Sequence, residues 1–123
     1  MKLSIIIPVY HEEKNIEKVI KQLSTKVKSV HETLIVYDSL KDPTYETVKK
    51  ILHKYKNVKL VKNSTGNKNG VVNAVKTGIL RANGFAIVVV MADLSDDIEI
   101  IDKMFGLIEK DYDIVRFSLY EKR

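Results

Sequence analysis

The feature that most constrains this chain is an alternation. Strand-like runs at Leu3 to Val9, Thr33 to Tyr37, Val58 to Val61, Phe85 to Met91 and Asp113 to Tyr120 are separated by segments of helical spacing. Strands that alternate with helices imply a parallel sheet covered by helices on both faces. Right-handed crossovers are expected between successive strands. The reading is βαβαβαβαβ, an α/β fold of three layers, α/β/α, with a mostly parallel sheet. A length of 123 residues fits one domain of ordinary size, residues 1–123.

The helical segments show their inner faces plainly. Between Glu12 and Ser29, apolar residues fall at Ile16, Val19, Ile20, Leu23 and Val27, one face of a helix. Asp42-Pro43 predicts the next helix start, with Asp as cap and Pro in the first turn. Val48, Ile51, Leu52 and Tyr55 form its apolar side. After the polar loop Asn63 to Gly70, a helix is expected to bury Val71, Val72, Val75 and Ile79, with Ala74 and Ala82 beside them. Asn83-Gly84 is expected to close it with residues that tolerate a left-handed backbone. Ser95 predicts a cap for a last helix starting at Asp96, with Ile98, Ile101, Phe105 and Ile108 inside.

Chemistry concentrates where strands end. Phe85 to Met91 is an uncharged run that reads as a central strand buried on both faces. It delivers Asp93, Asp96 and Asp97 at its carboxyl end. Tyr10-His11-Glu12 follows the first strand, and Asp38-Ser39 the second. In a doubly wound sheet growing both ways from the first strand, these ends meet in one crevice, which is where such sheets bind nucleotides. Asp96 and Asp97 also suit the first turn of a helix, where acids complement the dipole.

Composition excludes several classes. With no cysteine, disulfides, zinc–thiolate sites and thiol nucleophiles are ruled out. No apolar run approaches the roughly 18 residues of a membrane span. The apolar start is short, has no small-residue cleavage site and reads as a strand rather than a leader. A cytoplasmic location is the default. Net charge is +5 but uneven: residues 1–62 hold 13 Lys and 7 acids, a balance of +6, and residues 63–123 hold 8 Lys/Arg and 9 acids, a balance of −1. The basic half reads as solvated helix faces, with a phosphate-rich ligand or an anionic membrane surface as the functional alternative. Nucleic acid is not expected, because no Arg-rich tract or aromatic stacking pattern is present. The first strand lacks a following Gly-x-Gly-x-x-Gly, and the Lys68 loop lacks the P-loop pattern. His11, His31 and His53 lie on different elements, so no histidine cluster is expected.

Four motifs, in order, resemble the family 2 glycosyltransferases and their GT-A nucleotide-sugar fold, which is Rossmann-like. Ile5-Ile6-Ile7-Pro8-Val9-Tyr10-His11-Glu12-Glu13 is similar to the family's opening Pro-x-Tyr-Asn-Glu motif, with His11 in place of Asn. Lys68-Asn69-Gly70 and the helix after it resemble the Lys/Arg-Gly loop. Met91-Ala92-Asp93-Leu94-Ser95-Asp96-Asp97 is similar to the Asp-x-Asp metal motif. Val115-Arg116-Phe117-Ser118-Leu119-Tyr120 resembles the Ser-Arg-Tyr strand of dolichyl-phosphate mannosyltransferase-like members. The resemblance covers essentially the whole chain.

It implies that Pro8, Tyr10 and Glu12 shape a pocket for base and ribose, that Asp38 hydrogen-bonds the base, and that Lys68, Ala92 and Asp93 border the nucleotide sugar. Asp93 would hold Mg²⁺ or Mn²⁺ against the diphosphate, as hard cations take carboxylate oxygens plus substrate phosphates. A polyprenyl phosphate is an acceptor the resemblance suggests, with a peripheral place at the membrane. The chain departs from the pattern at Tyr37, where the family often has a second Asp beside Asp38, and at Met91, where the first Asp of the metal motif would stand. Such enzymes run longer, so the chain is expected to be the donor-binding half, truncated before the acceptor half. No residue is assigned as catalytic base; Asp96 and Asp97 are the nearest acids. Two rival readings are a non-catalytic nucleotide-binding or interaction module left by truncation, and a response-regulator-like receiver. An open edge at the fifth strand predicts self-association.

Overall fold

A computed structural model describes residues 2–64, 70–95, 97–110 and 113–115. Within them the elements run β1 (Leu3–Pro8), α1 (Ile16–Lys26), β2 (His31–Tyr37), α2 (Pro43–Ile51), β3 (Val58–Lys62), α3 (Val71–Arg81), β4 (Ala86–Val89) and α4 (Ile101–Glu109). Single 3-10 turns, Leu52–Lys54 and Ile98–Ile100, follow α2 and precede α4. The four strands form one parallel sheet in the order β3-β2-β1-β4. The alternating α/β reading therefore holds for these elements.

Among the described strands β1 lies inside the sheet, and the run Phe85 to Met91 supplies β4 at its end. All six residues of β1 are buried, and Ile5, Ile6 and Ile7 have no exposed surface. β4 is shorter than expected and lies at the edge of the described sheet, with Ile87 and Val89 exposed. An uncharged strand with no polar alternation carries no mark of its rank in the sheet, so sequence could not tell centre from edge. The expected fifth strand falls mostly on residues 116–123, outside the described part, and Asp113 to Val115 do not form a strand.

The two faces of β1 organise the layers. Leu3, Ile5 and Ile7 join one core with Ile16, Val19, Ile20 and Leu23 of α1, Val48 and Ile51 of α2, and Ile101 and Phe105 of α4. Ile6 faces the other way, into a smaller cluster with Leu34, Val36, Val61 and Ala74 of α3. Three helices thus cover one face and α3 covers the other.

α3 packs through its small residues. Ala74, Thr77 and Gly78 are buried, whereas Val71, Val72 and Ile79 are exposed. A Cβ on Gly78 would lie 2.6 Å from Cγ2 of Ile6. The helix sits so close to β1 that only a small-residue face fits, which reverses the apolar face expected from hydropathy. Gly84 also has a different task from the one expected. Ala82 closes α3 in an extended conformation, and Gly84 instead passes against β1, where a Cβ would meet Ser4 Oγ at 2.5 Å and Ser4 N at 2.6 Å.

A buried carboxylate locks this end of the sheet. Glu32, only 1% exposed, accepts bonds from Ser4 Oγ at 2.6 Å and from Asn83 N at 2.6 Å. Gly84 N in turn donates to Ser4 Oγ, and Lys2 and Lys59 place their Nζ atoms 3.6 and 3.5 Å from Oε1. Burial pushes the Glu32 carboxyl up, but the hydrogen bonds and the lysine charges outweigh it and hold it down at about 2. At α4, Asp102 accepts the Lys28 and Ser29 backbone N–H groups and the Ser29 hydroxyl, tying that helix to the turn before β2.

Candidate functional site

The chain steps from β1 outward to β2 and β3, then crosses to β4 on the other side of β1. That reversal lies between β1 and β4, the position where open parallel sheets bind ligands at their carboxyl ends. A cleft of about 530 Å³ opens there. Pro8, Tyr10 and Glu12 line it from the end of β1, Asp38 from the end of β2, and Ala92 and Asp93 from the end of β4. Six of the seven expected donor-site residues therefore share one cavity; the seventh, Lys68, lies outside the described residues, as does Asp96. Val9, Gly70, Val71, Ala74 and Met91 complete the lining.

The β1–α1 loop is fixed by the start of α2. Asp42, 6% exposed, caps α2 by accepting from Thr44 N at 2.9 Å, as its position before Pro43 predicted. It also accepts from Thr44 Oγ1 at 2.7 Å and from His11 N at 3.0 Å. Thr44 Oγ1 accepts from Glu12 N at 2.8 Å. Burial raises the Asp42 carboxyl, but the bonds from His11 N, Thr44 N and Thr44 Oγ1 bring it below the usual carboxylate range. His11 takes a left-handed backbone with φ 53°, which turns the chain sharply and leaves Tyr10 exposed at the cleft, edge-on to the His11 ring. The two bonds from this loop to Asp42 and Thr44 were not visible in the sequence, because they join residues some thirty positions apart.

Asp38 belongs to a second network. Asn63 Nδ2 donates to Asp38 Oδ1 at 2.8 Å, and Asn63 Oδ1 accepts from buried Thr77 at 2.8 Å. Asn63 N also donates to Tyr37 O. Asn63 thus links the end of β2 to α3 and sets the orientation of the Asp38 carboxylate. Its place directly after a strand was the available signal.

Asp93 stands at a tight turn. Its Oδ1 accepts from Ser95 N at 3.0 Å and from Ser95 Oγ, while Leu94 between them has φ 66°. The bonds from Ser95, side chain first and then backbone, hold the Asp93 carboxyl below its ordinary value. Ser95 is thus occupied with Asp93 and does not cap the last helix. Asp97 takes that role, accepting from Glu99 N at 3.1 Å ahead of the Ile98–Ile100 turn. The assignment of Asp97 as a helix-start acid is sound; the capping residue was misplaced by two positions. Met91 lines the cleft on the same segment as Asp93.

The cavity also meets the start of α3. Gly70, at φ 121°, precedes the helix and offers no side-chain cap. Helix N-termini present backbone N–H groups and a positive dipole end, which suits phosphate. The arrangement therefore combines aromatic and carboxylate groups on one side, a solvent-facing Asp carboxylate on another, and a helix start between them.

Comparison with known proteins gives the same frame. Residues 4–123 match the family model described as glycosyl transferase family 2. The dolichol-phosphate mannosyltransferase of Pyrococcus furiosus is 32% identical over 123 residues, covering 99% of this chain and 34% of that protein. Its counterpart in Saccharomyces cerevisiae is 30% identical over 109 residues, covering 85% of this chain and 40% of that protein. The chain spans about a third of the length of the curated relatives it matches. Among solved structures, TarS of S. aureus superposes with a TM-score of 0.72 at 25% identity, covering 89% of this chain and 33% of that one. A mannosyltransferase from Pyrobaculum calidifontis, in complex with GDP-Man and Mn²⁺, superposes at 0.65 with 22% identity over 74% of this chain and 27% of that one. The second likeness is one of fold.

Proposed function

The chain belongs to glycosyl transferase family 2, and from that premise we propose that it forms the donor-binding part of a glycosyltransferase. The cleft between β1 and β4 takes the nucleotide diphosphate of a nucleotide sugar. The observation that carries this reading is the convergence of Pro8, Tyr10, Glu12, Asp38, Ala92 and Asp93 on one cavity at the topological switch point. Tyr10 supplies an exposed ring for a base or ribose. Asp38, oriented by Asn63, accepts from the base. The α3 N-terminus, entered at Gly70 and Val71, faces the diphosphate.

A divalent cation fits the Asp93 turn. Ser95 orients the carboxylate through Oδ1, the group faces solvent in the cleft, and Mg²⁺ or Mn²⁺ commonly uses one or two carboxylates with substrate phosphates. When bound, such an ion offsets the charge that develops on the departing nucleoside diphosphate. Ser95 and the Leu94 turn hold the carboxylate in place, and Met91 borders it without a second acid. Sugar transfer also needs a base for the acceptor hydroxyl, which lies beyond the residues assigned here. The mannosyltransferase relatives support a lipid-phosphate acceptor and a peripheral place at the membrane. Among the described residues no helix is long and apolar enough to cross a membrane.

Titration calorimetry with UDP- and GDP-sugars, with and without Mn²⁺, tests donor binding. One nucleotide series should bind, and Mn²⁺ should strengthen it. Asp93→Ala should abolish the Mn²⁺ effect while retaining metal-free binding. No binding of any nucleoside diphosphate would sink the reading. Met91 and Tyr37, standing where the family pattern carries acids, favour a second reading, a donor-binding module without transfer. Donor binding with neither sugar release nor transfer to any acceptor would support it.

A further inference from the structure

We propose that His11, Glu13 and Asp42 form a second divalent-metal site, suited to Zn²⁺, that pins the β1–α1 loop to the start of α2. None of the three lines the donor cleft, and the site shares no residue with the Asp93 turn. One ligand atom from each lies within 4.8 Å of those of the other two. Ligand atoms of a tetrahedral zinc site with bonds of about 2.1 Å stand about 3.4 Å apart. Rotation of His11 and Glu13, which are not buried, has to close a difference of up to about 1.4 Å. Asp42 is the fixed member: it is 94% buried, being 6% exposed, and held by Thr44 and the His11 backbone.

Two observations point to a cation. Asp42 Oδ2 accepts one hydrogen bond, from His11 N, and a carboxylate oxygen has two acceptor positions. This is unused acceptor capacity on a buried charge. Next, two carboxylates face each other across the loop, and among the described residues no ion pair engages Glu13. Among the described residues the His11 ring is the one ion-pair partner of Asp42, and its Nδ1 stands 4.0 Å away, too far for a hydrogen bond. His11 takes a left-handed backbone, φ 53°, which His tolerates better than most residues. One imidazole with two carboxylates selects a first-row transition ion over Mg²⁺, which prefers oxygen alone. Three protein ligands leave an open position for water, the common pattern of an exposed zinc site.

The ion would stiffen the loop that presents Tyr10 and Glu12 to the cleft. The test is calorimetric titration with ZnCl₂ alone, without nucleotide, on the wild-type protein and on His11→Asn, Glu13→Gln and Asp93→Ala. Circular dichroism of each variant confirms that the fold is retained. The wild type should bind one Zn²⁺. His11→Asn and Glu13→Gln should each weaken it by about ten-fold or more, and Asp93→Ala should leave it unchanged. Absence of a Zn²⁺ isotherm in the wild type overturns the proposal. So does wild-type affinity in His11→Asn, or a loss in Asp93→Ala equal to that in His11→Asn.

Discussion

Replacing Glu32 by Gln removes a charge from the best-bonded carboxylate of the fold. Its side chain is 2% exposed and bridges β1, β2 and the turn before β4. The gap between its ordinary value of 4.5 and about 2 corresponds to about 3 kcal/mol, at about 1.4 kcal/mol for each pH unit. The bonds from Ser4 Oγ and Asn83 N supply most of this, because the Lys2 and Lys59 side chains are 41% and 53% exposed and solvent screens them. The sign follows from a folded-state value that is depressed. The stabilisation is fully present above pH 4.5 and is lost as pH falls from there through about 2. Urea unfolding of wild type and Glu32→Gln should therefore show a gap of about 2–3 kcal/mol at neutral pH. That gap should close steadily as pH is lowered into the acid range. Asp42 and Asp102, also held low, lose their own contributions in both proteins and cancel in the difference. A gap that stays constant with pH would refute the assignment, since it would mean that Glu32 contributes packing rather than charge.

Two glycines should respond to alanine in opposite directions. At Gly84 the new Cβ meets the backbone N of Ser4, which cannot yield cheaply, so a loss of about 2 kcal/mol or more is expected in urea unfolding. Gly106, inside α4 with nothing within 4 Å of a built Cβ, should gain about 0.5–1 kcal/mol. The β4 edge of the described sheet, with Ile87 and Val89 exposed, should give concentration-dependent association in sedimentation, and Val89→Lys should abolish it. A strictly monomeric wild type at high concentration would remove the edge as an interface.

The cleft was legible because its residues are fixed by chain order. Once strands and helices alternate, the residues after β1, β2 and β4 must emerge on one side of a parallel sheet. Tyr10, Glu12, Asp38 and Asp93 could therefore be named together, while Pro8 was named through the family resemblance; Pro43 with Asp42 marked a helix start by local chemistry alone. What failed to show were relations between distant segments. Hydropathy placed Val71, Val72 and Ile79 of α3 inside, yet the close approach of Ile6 admits only Ala74, Thr77 and Gly78. Ser95 satisfied the rule for a cap but found a nearer acceptor in Asp93.

The sequence by itself determined the alternation of elements, the parallel sheet and the strand ends that carry chemistry, because period and capping act within a few residues. Only the tertiary structure decided that β1 is the centre and β4 the edge of the described sheet. Only it brought Asn63 to Asp38 and set His11 and Glu13 beside Asp42. Those outcomes depend on which surfaces pack together, and no local pattern of side chains encodes a partner thirty residues away.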